Sequence, residues 1–249
     1  MNLFLLSLII ALITWYAATA MPMFLRWSFY LGGPLVGGLV CGILFGDISY
    51  GLEVGSTIQL AYLGAIAVGG TLPSELAIAG YLGTALTMAA GLDAAAGLTV
   101  AVALGSLGLL SRNAYMTLNS LVVQRADKYA AAGNAKMVRR MNQYGSQIVP
   151  FLVYVIPGFL AMYFGSQALE SLMHAIPVKV IQALGVTGGL IPALGIGLLL
   201  TYVWDKKFLP WFVIGFFLVA YLSLNIMFIA ILGGCAAVLY MFANQKEEI

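Results

Sequence analysis

Residues 3–24 read LFLLSLIIALITWYAATAMPMF and contain no charged side chain. A helix needs about 20 apolar residues to cross the hydrocarbon core of a bilayer. This stretch is long enough, and it lacks the positively charged start of a secretory signal. It therefore predicts a retained membrane helix at the beginning of the chain.

The composition supports a membrane protein throughout. Of 249 residues, 62% are hydrophobic and 8% are charged, whereas a soluble domain has about 25% charged residues. The net charge of +2 is too small to indicate nucleic-acid binding. Further apolar segments lie near residues 29–45, 76–91, 93–110, 146–165, 178–203, 208–224 and 226–243. We therefore predict an all-α integral membrane protein with about eight membrane helices.

The longest polar interval, residues 112–147, contains six basic residues against Asp127 alone, which gives a net charge of +5. Positive loops of membrane proteins face the cytoplasm. Apolar residues at helical spacing predict an amphipathic helix here, which Gly133 and Asn134 would end before a second short helix. This helix either rests at the headgroup boundary or docks a soluble partner.

Residues 51–75 read GLEVGSTIQLAYLGAIAVGGTLPSE and do not resemble a plain spanning helix. Six residues interrupt the apolar run: Gly51, Gly55, Gly64, Gly69, Gly70 and Pro73. Irregular backbone at membrane depth is tolerated only where it is buried in protein or lines a wet cavity. We predict a broken or re-entrant element that holds a small polar solute. Alternatively, the glycines permit tight helix packing and Gln59 links helices.

A neutral sugar requires amides, hydroxyls and backbone groups for its own hydroxyls, together with apolar or aromatic surface for its ring. The broken segment supplies these groups close together. Its candidate substrate-binding residues are Gln59, Glu53, Thr57, Tyr62, Gly69, Gly70, Thr71 and Glu75.

The two acids of this set have other possible roles. A carboxylate within a membrane is a functional candidate by default, but either acid could instead lie at the solvated interface, and Glu75 could cap the following helix. The only histidine, His174, lies in a short polar loop, and Cys41 and Cys235 lie in apolar runs. We find no nucleotide-binding loop, nucleophile motif or metal-ligand spacing. No cofactor, metal or catalytic residue is therefore expected.

Four segments resemble a known family. They read GGPLVGGLVCGILFGDISYGLEVGSTIQLAYLGAIAVGGTLPSE (32–75), ADKYAAAGN (126–134), ALGVTGGLIPALGIGLLL (183–200) and FLPWFVIGFFLVAYLSLNI (208–226). In this order they are similar to IIC subunits of the mannose, fructose, sorbose and N-acetylgalactosamine group of sugar phosphotransferase systems.

The resemblance implies a single IIC membrane domain over residues 1–249. Its parts are the N-terminal helices and broken segment (1–111), the amphipathic cytoplasmic linker (112–147) and the C-terminal helices (148–249). It further implies a permease in the bacterial cytoplasmic membrane that acts with a IID membrane subunit and with IIA and IIB phosphocarriers. Those carriers would hold the phosphoryl-transfer residues, and IIC/IID pairs would assemble into trimers.

The identity of the sugar stays open. The mannose branch has an acidic residue at the position of Gln59, so this chain departs from that pattern.

Two other classes of function also stay open. One is a stand-alone transporter coupled to an ion through Glu53 or Glu75, and the other is a non-transporting scaffold subunit.

Overall fold

The computed structural model describes residues 2–27, 29–63, 74–175, 179, 183, 186, 193–201, 204–205, 208–222 and 224–245. Throughout these ranges the regular secondary structure is helical, as predicted, and contains no strand. The chain divides into two compact units, Met1–Leu199 and Leu200–Ile249.

The helices of the first unit are α1 (Leu3–Trp15), α2 (Met23–Trp27), α3 (Pro34–Phe45), α4 (Ile48–Ala61), α5 (Gly83–Ala89), α6 (Ala94–Ala131), α7 (Ala135–Arg140) and α8 (Ser146–Ala175). Three π-helical turns adjoin them, at Tyr16–Ala20, Ile78–Leu82 and Met141–Gly145. Residues 193–201, here α9, are also helical. The second unit contains α10 (Leu209–Leu222) and α11 (Ile226–Gln245).

Three described helical stretches are long and apolar enough to cross a membrane, namely Leu3–Ala20, Ala94–Ala131 and Ala135–Gly165. Shorter apolar helices cover Pro34–Phe45, Ile78–Ala89, Leu209–Leu222 and Met227–Phe242. These helices fall on seven of the predicted apolar segments, which confirms a multi-pass helical architecture. Most of the eighth segment, 178–203, lies outside the described residues.

Three predicted boundaries were wrong. The segment predicted over 146–165 continues to Ala175 as α8, so His174 lies in this helix and not in a loop. The first segment does not run unbroken to residue 24, because Pro22 lacks an N–H donor and disfavours helical backbone at Met21, which is extended with ψ 134°. The segment predicted over 93–110 continues to Ala131, since residues 109–132 include neither glycine nor proline. The predicted break at Gly133 and Asn134 is confirmed: Gly133 has φ 67°, and the Asn134 side chain caps α7.

Helices α3 and α4 form a tight antiparallel hairpin. Gly46, with φ 82°, takes the left-handed conformation that ends α3. The Asp47 carboxylate then accepts a 3.0 Å hydrogen bond from the Tyr50 N–H and caps α4. Asp47 is thus a helix-end residue.

Glycines hold the two helices of this hairpin in backbone contact. A Cβ atom at Gly38 would collide with the Gly51 carbonyl oxygen and lie 2.8 Å from the Gly55 Cα. The prediction that Gly51 and Gly55 interrupt the apolar run was therefore wrong, because both lie within the continuous α4. Their role is the alternative one, the close approach of helices that small residues permit in membranes.

Candidate functional site

Helix α4 carries three of the eight predicted site residues and Tyr62 caps its end, but these four side chains do not point to one place. Its packed face consists of Gly51, Val54, Gly55 and Ile58, which are buried. Glu53 is exposed on the opposite face, and the half-buried Thr57 donates its hydroxyl to the Glu53 carbonyl at 2.8 Å. These two residues therefore form an open polar edge of the helix.

Gln59 lies on the flank of α4 and is half-buried. Its Nε2 is 3.5 Å from the Tyr30 hydroxyl oxygen, the outer limit of a donated hydrogen bond. Its Oε1 is buried and accepts no hydrogen bond from any described residue. Since buried polar atoms are normally satisfied, this oxygen, which lacks a partner within the described ranges, is a candidate acceptor for a ligand.

Tyr62, at the end of α4, faces the interior. Its hydroxyl shares a 3.0 Å hydrogen bond with the hydroxyl of Ser74, which is buried. A Cβ atom at Gly105 of α6 would collide with the Ser74 Oγ and lie 2.9 Å from the Tyr62 hydroxyl oxygen. The bare backbone at Gly105 therefore makes room for this contact, which joins the two ends of the 62–74 interval.

Glu75 is a completely buried carboxylate held by two arginines. Its Oε1 is 3.5 Å from Arg26 Nη2, and its Oε2 is 3.3 Å from Arg112 Nη1. The side chain of Glu75 is 1% exposed, whereas each arginine side chain is 21% exposed. Glu75 is thus neither a solvated interfacial acid nor free for a substrate, and its carboxylate links Arg26 of α2 to Arg112 of α6.

The remaining predicted site residues, Gly69, Gly70 and Thr71, lie outside the described residues. The family-like segment 183–200 lies partly outside them as well, but Gly195 of α9 is described. A Cβ atom there would lie 2.5 Å from the carbonyl oxygens of Leu60 and Ala61. Helix α9 therefore packs directly against the end of α4.

Sequence reasoning missed Arg26, Arg112 and Tyr30. The one available signal for Arg26 was that it is the first charged side chain of the chain. Nothing in the sequence links two arginines to a carboxylate 49 and 37 residues away, and nothing marks Tyr30 as a neighbour of Gln59. Within the described ranges, no group of three or more His, Cys, Asp or Glu side chains could hold a metal ion.

Comparison with known proteins identifies the family. The family described as "PTS system sorbose-specific iic component" matches residues 4–239. The fructose permease IIC component of Bacillus subtilis (strain 168) is 30% identical over 215 residues, 86% of this chain and 80% of the relative. The N-acetylgalactosamine permease IIC component 1 of Escherichia coli (strain K12) is 29% identical over 222 residues, 89% of this chain and 82% of the relative.

A solved structure agrees with this assignment. The cryo-EM structure of the mannose transporter ManYZ in complex with microcin E492 superimposes with a TM-score of 0.56 and 25% identity, over 96% of this chain and 94% of that chain. The family match extends from α1 into α11. The chain therefore belongs to the family of sorbose-specific IIC components of the phosphotransferase system, the translocation subunits of sugar permeases.

Proposed function

We propose that this chain binds a monosaccharide beside Gln59 and passes it to the cytoplasm, where companion phosphocarriers phosphorylate it. The family match over residues 4–239 carries this proposal. Relatives named for fructose, N-acetylgalactosamine and mannose suggest the chemical class of substrate. The phosphoryl-transfer residues belong to the IIA and IIB partners, so this chain supplies the pathway and not the chemistry.

A second membrane subunit is needed to complete the permease. ManYZ, a complex of two chains, supports a IID subunit as that partner. In the second unit most described residues of α10 and α11 are exposed, and an apolar cavity of about 610 Å³ lies between these helices. Lipid and the IID subunit would cover these surfaces. We further propose about eight membrane helices, a bacterial cytoplasmic membrane and a trimer of IIC/IID pairs.

The site is proposed at the end of α4 and in the segment that follows it. A helix of 14 residues is about 21 Å long, too short to cross a core of about 30 Å. Its end at Ala61 therefore falls within the membrane if it starts near a surface. Gln59 would hydrogen-bond a sugar hydroxyl. Glu53 and Thr57 on the same helix, Tyr62 at its end, and Gly69, Gly70 and Thr71 beyond it are the other proposed site residues. Glu75 would hold the returning chain in position.

The orientation follows from the basic interval 112–147, which we place in the cytoplasm. A cysteine introduced at Asn134, which is exposed in the turn between α6 and α7, is expected to react with an impermeant maleimide only in inside-out vesicles. Labelling of this cysteine from outside intact cells would contradict the orientation. The labelled protein and an unlabelled control without the new cysteine both carry Cys235→Ser. This substitution removes the exposed native thiol, so that only the introduced cysteine can react.

Dependence on phosphoenolpyruvate tests the function. Proteoliposomes with this chain and its IID subunit are expected to accumulate radiolabelled fructose, mannose, sorbose or N-acetylgalactosamine only when phosphoenolpyruvate, the general phosphocarriers, IIA and IIB are supplied. The stand-alone alternative predicts uptake by this chain alone, driven by an ion gradient and abolished by an ionophore. Uptake of that kind would contradict the proposal.

A further inference from the structure

Tyr30 has an unusual backbone conformation between α2 and α3. Its φ of 53° lies in the left-handed region, and no other described residue except glycine has a positive φ. A bulky side chain is strained in this conformation. The loop around it is fixed, because the Tyr81 hydroxyl donates to the Leu31 carbonyl at 2.6 Å and the Gly33 N–H donates to the Tyr30 carbonyl at 2.9 Å. The conformation is thus imposed by the packed core.

The ring of Tyr30 lies directly over Gly33. A Cβ atom at Gly33 would collide with the ring atoms Cδ1 and Cε1. The absence of a side chain at this position therefore makes room for the ring. Despite this contact, Tyr30 is 37% exposed, so part of its aromatic surface is still open to a ligand.

The exposed part of the Tyr30 ring lies close to the Gln59 amide. The Tyr30 hydroxyl oxygen is 3.5 Å from Gln59 Nε2, and the Oε1 of the same amide accepts no hydrogen bond from any described residue. A monosaccharide presents hydroxyl donors at its rim and an apolar C–H face. An amide acceptor beside an aromatic surface matches both features.

We propose that Tyr30 is a sugar-binding residue, whose ring packs against the C–H face of the monosaccharide while Gln59 accepts a hydrogen bond from one of its hydroxyls. This assignment rests on the proposed function and deepens it. It also accounts for a strained tyrosine where glycine would be more stable.

Replacement of Tyr30 by glycine separates binding from folding. Glycine adopts a positive φ without strain, so Tyr30→Gly is expected to keep or raise the yield of the complex. Its apparent KM for phosphoenolpyruvate-dependent uptake should rise about tenfold. That factor corresponds to 1.4 kcal/mol, near the lower end of what burial of an aromatic side chain contributes. Tyr30→Phe keeps the ring and should change the KM by less than about threefold.

The measurement uses radiolabelled fructose, mannose, sorbose and N-acetylgalactosamine with the complete IIC/IID complex and its phosphocarriers. The control Tyr144→Ala removes a tyrosine that is 72% exposed on another part of the chain, and it should keep the wild-type KM. If Tyr30→Gly fails to assemble, Tyr30→Asn replaces it, because asparagine tolerates the left-handed region. Either Tyr30→Gly or Tyr30→Asn is tested, whichever assembles. If that variant keeps the wild-type KM, Tyr30 does not bind the sugar. Absence of phosphoenolpyruvate-dependent uptake by the wild type would contradict the proposed function itself.

Discussion

Glu75→Gln is expected to destabilise the complex strongly. The substitution keeps the shape of the side chain but removes the negative charge that Arg26 and Arg112 share. Removing one partner of a buried ion pair typically costs about 3–5 kcal/mol, because the remaining charge is left buried and uncompensated. We expect the lower end of that range, since each arginine side chain is 21% exposed and partly hydrated. Thermal unfolding of the detergent-solubilised complex measures the effect, and the unfolding temperature of the variant should be lower than that of the wild type.

The matched control is Glu53→Gln. Glu53 is exposed, so removal of its charge should leave the unfolding temperature unchanged. Glu75→Asp keeps the charge and should restore part of the lost stability. A Glu75→Gln complex with wild-type stability but weakened sugar affinity would contradict the structural role and return Glu75 to the binding site.

Gln59→Ala is expected to weaken sugar uptake by about five- to 150-fold in apparent affinity. Deletion of one buried hydrogen-bonding partner typically costs about 1–3 kcal/mol, and 1.4 kcal/mol is a factor of ten. The complex should still assemble, because the amide oxygen of Gln59 accepts no hydrogen bond from the described residues. Gln59→Glu introduces the acid typical of the mannose branch, so it should alter the ranking of sugars.

Gln147→Ala is the control for this prediction. The Oε1 of Gln147 is also buried without a described partner, but this residue lies in α8. It should therefore keep the wild-type affinity. The alternative role of Gln59, a link between helices, predicts a lower yield of complex with unchanged affinity for the same sugar. Yield and affinity measured on the same preparations separate the two roles.

The membrane class and most helices could be predicted because they depend on local properties. The length of an apolar run identifies a spanning segment, and Gly133 and Asp47 mark helix ends through their own backbone and side-chain chemistry. The family could be recognised for a similar reason, since its motifs are continuous stretches of sequence.

The interior of the candidate site could not be predicted because it depends on distant contacts. In the sequence, Gly51 suggested a break in the membrane helix. In the fold, it lies within α4 and contacts the backbone of α3. Glu75 suggested a substrate ligand, but Arg26 and Arg112 approach it only after three helices have packed together. The exposed ring of Tyr30 depends on a loop conformation that Tyr81 fixes from 51 residues away.

Density for a bound sugar would test the central claim most directly. A cryo-EM map of the IIC/IID complex with its transported monosaccharide should contain a sugar within hydrogen-bonding distance of the Gln59 amide, with its C–H face against the Tyr30 ring. The Glu75 carboxylate should stay between its two arginines in the same map. A sugar that contacts neither Gln59 nor Tyr30, or one that hydrogen-bonds Glu75 in place of the arginines, would contradict the account.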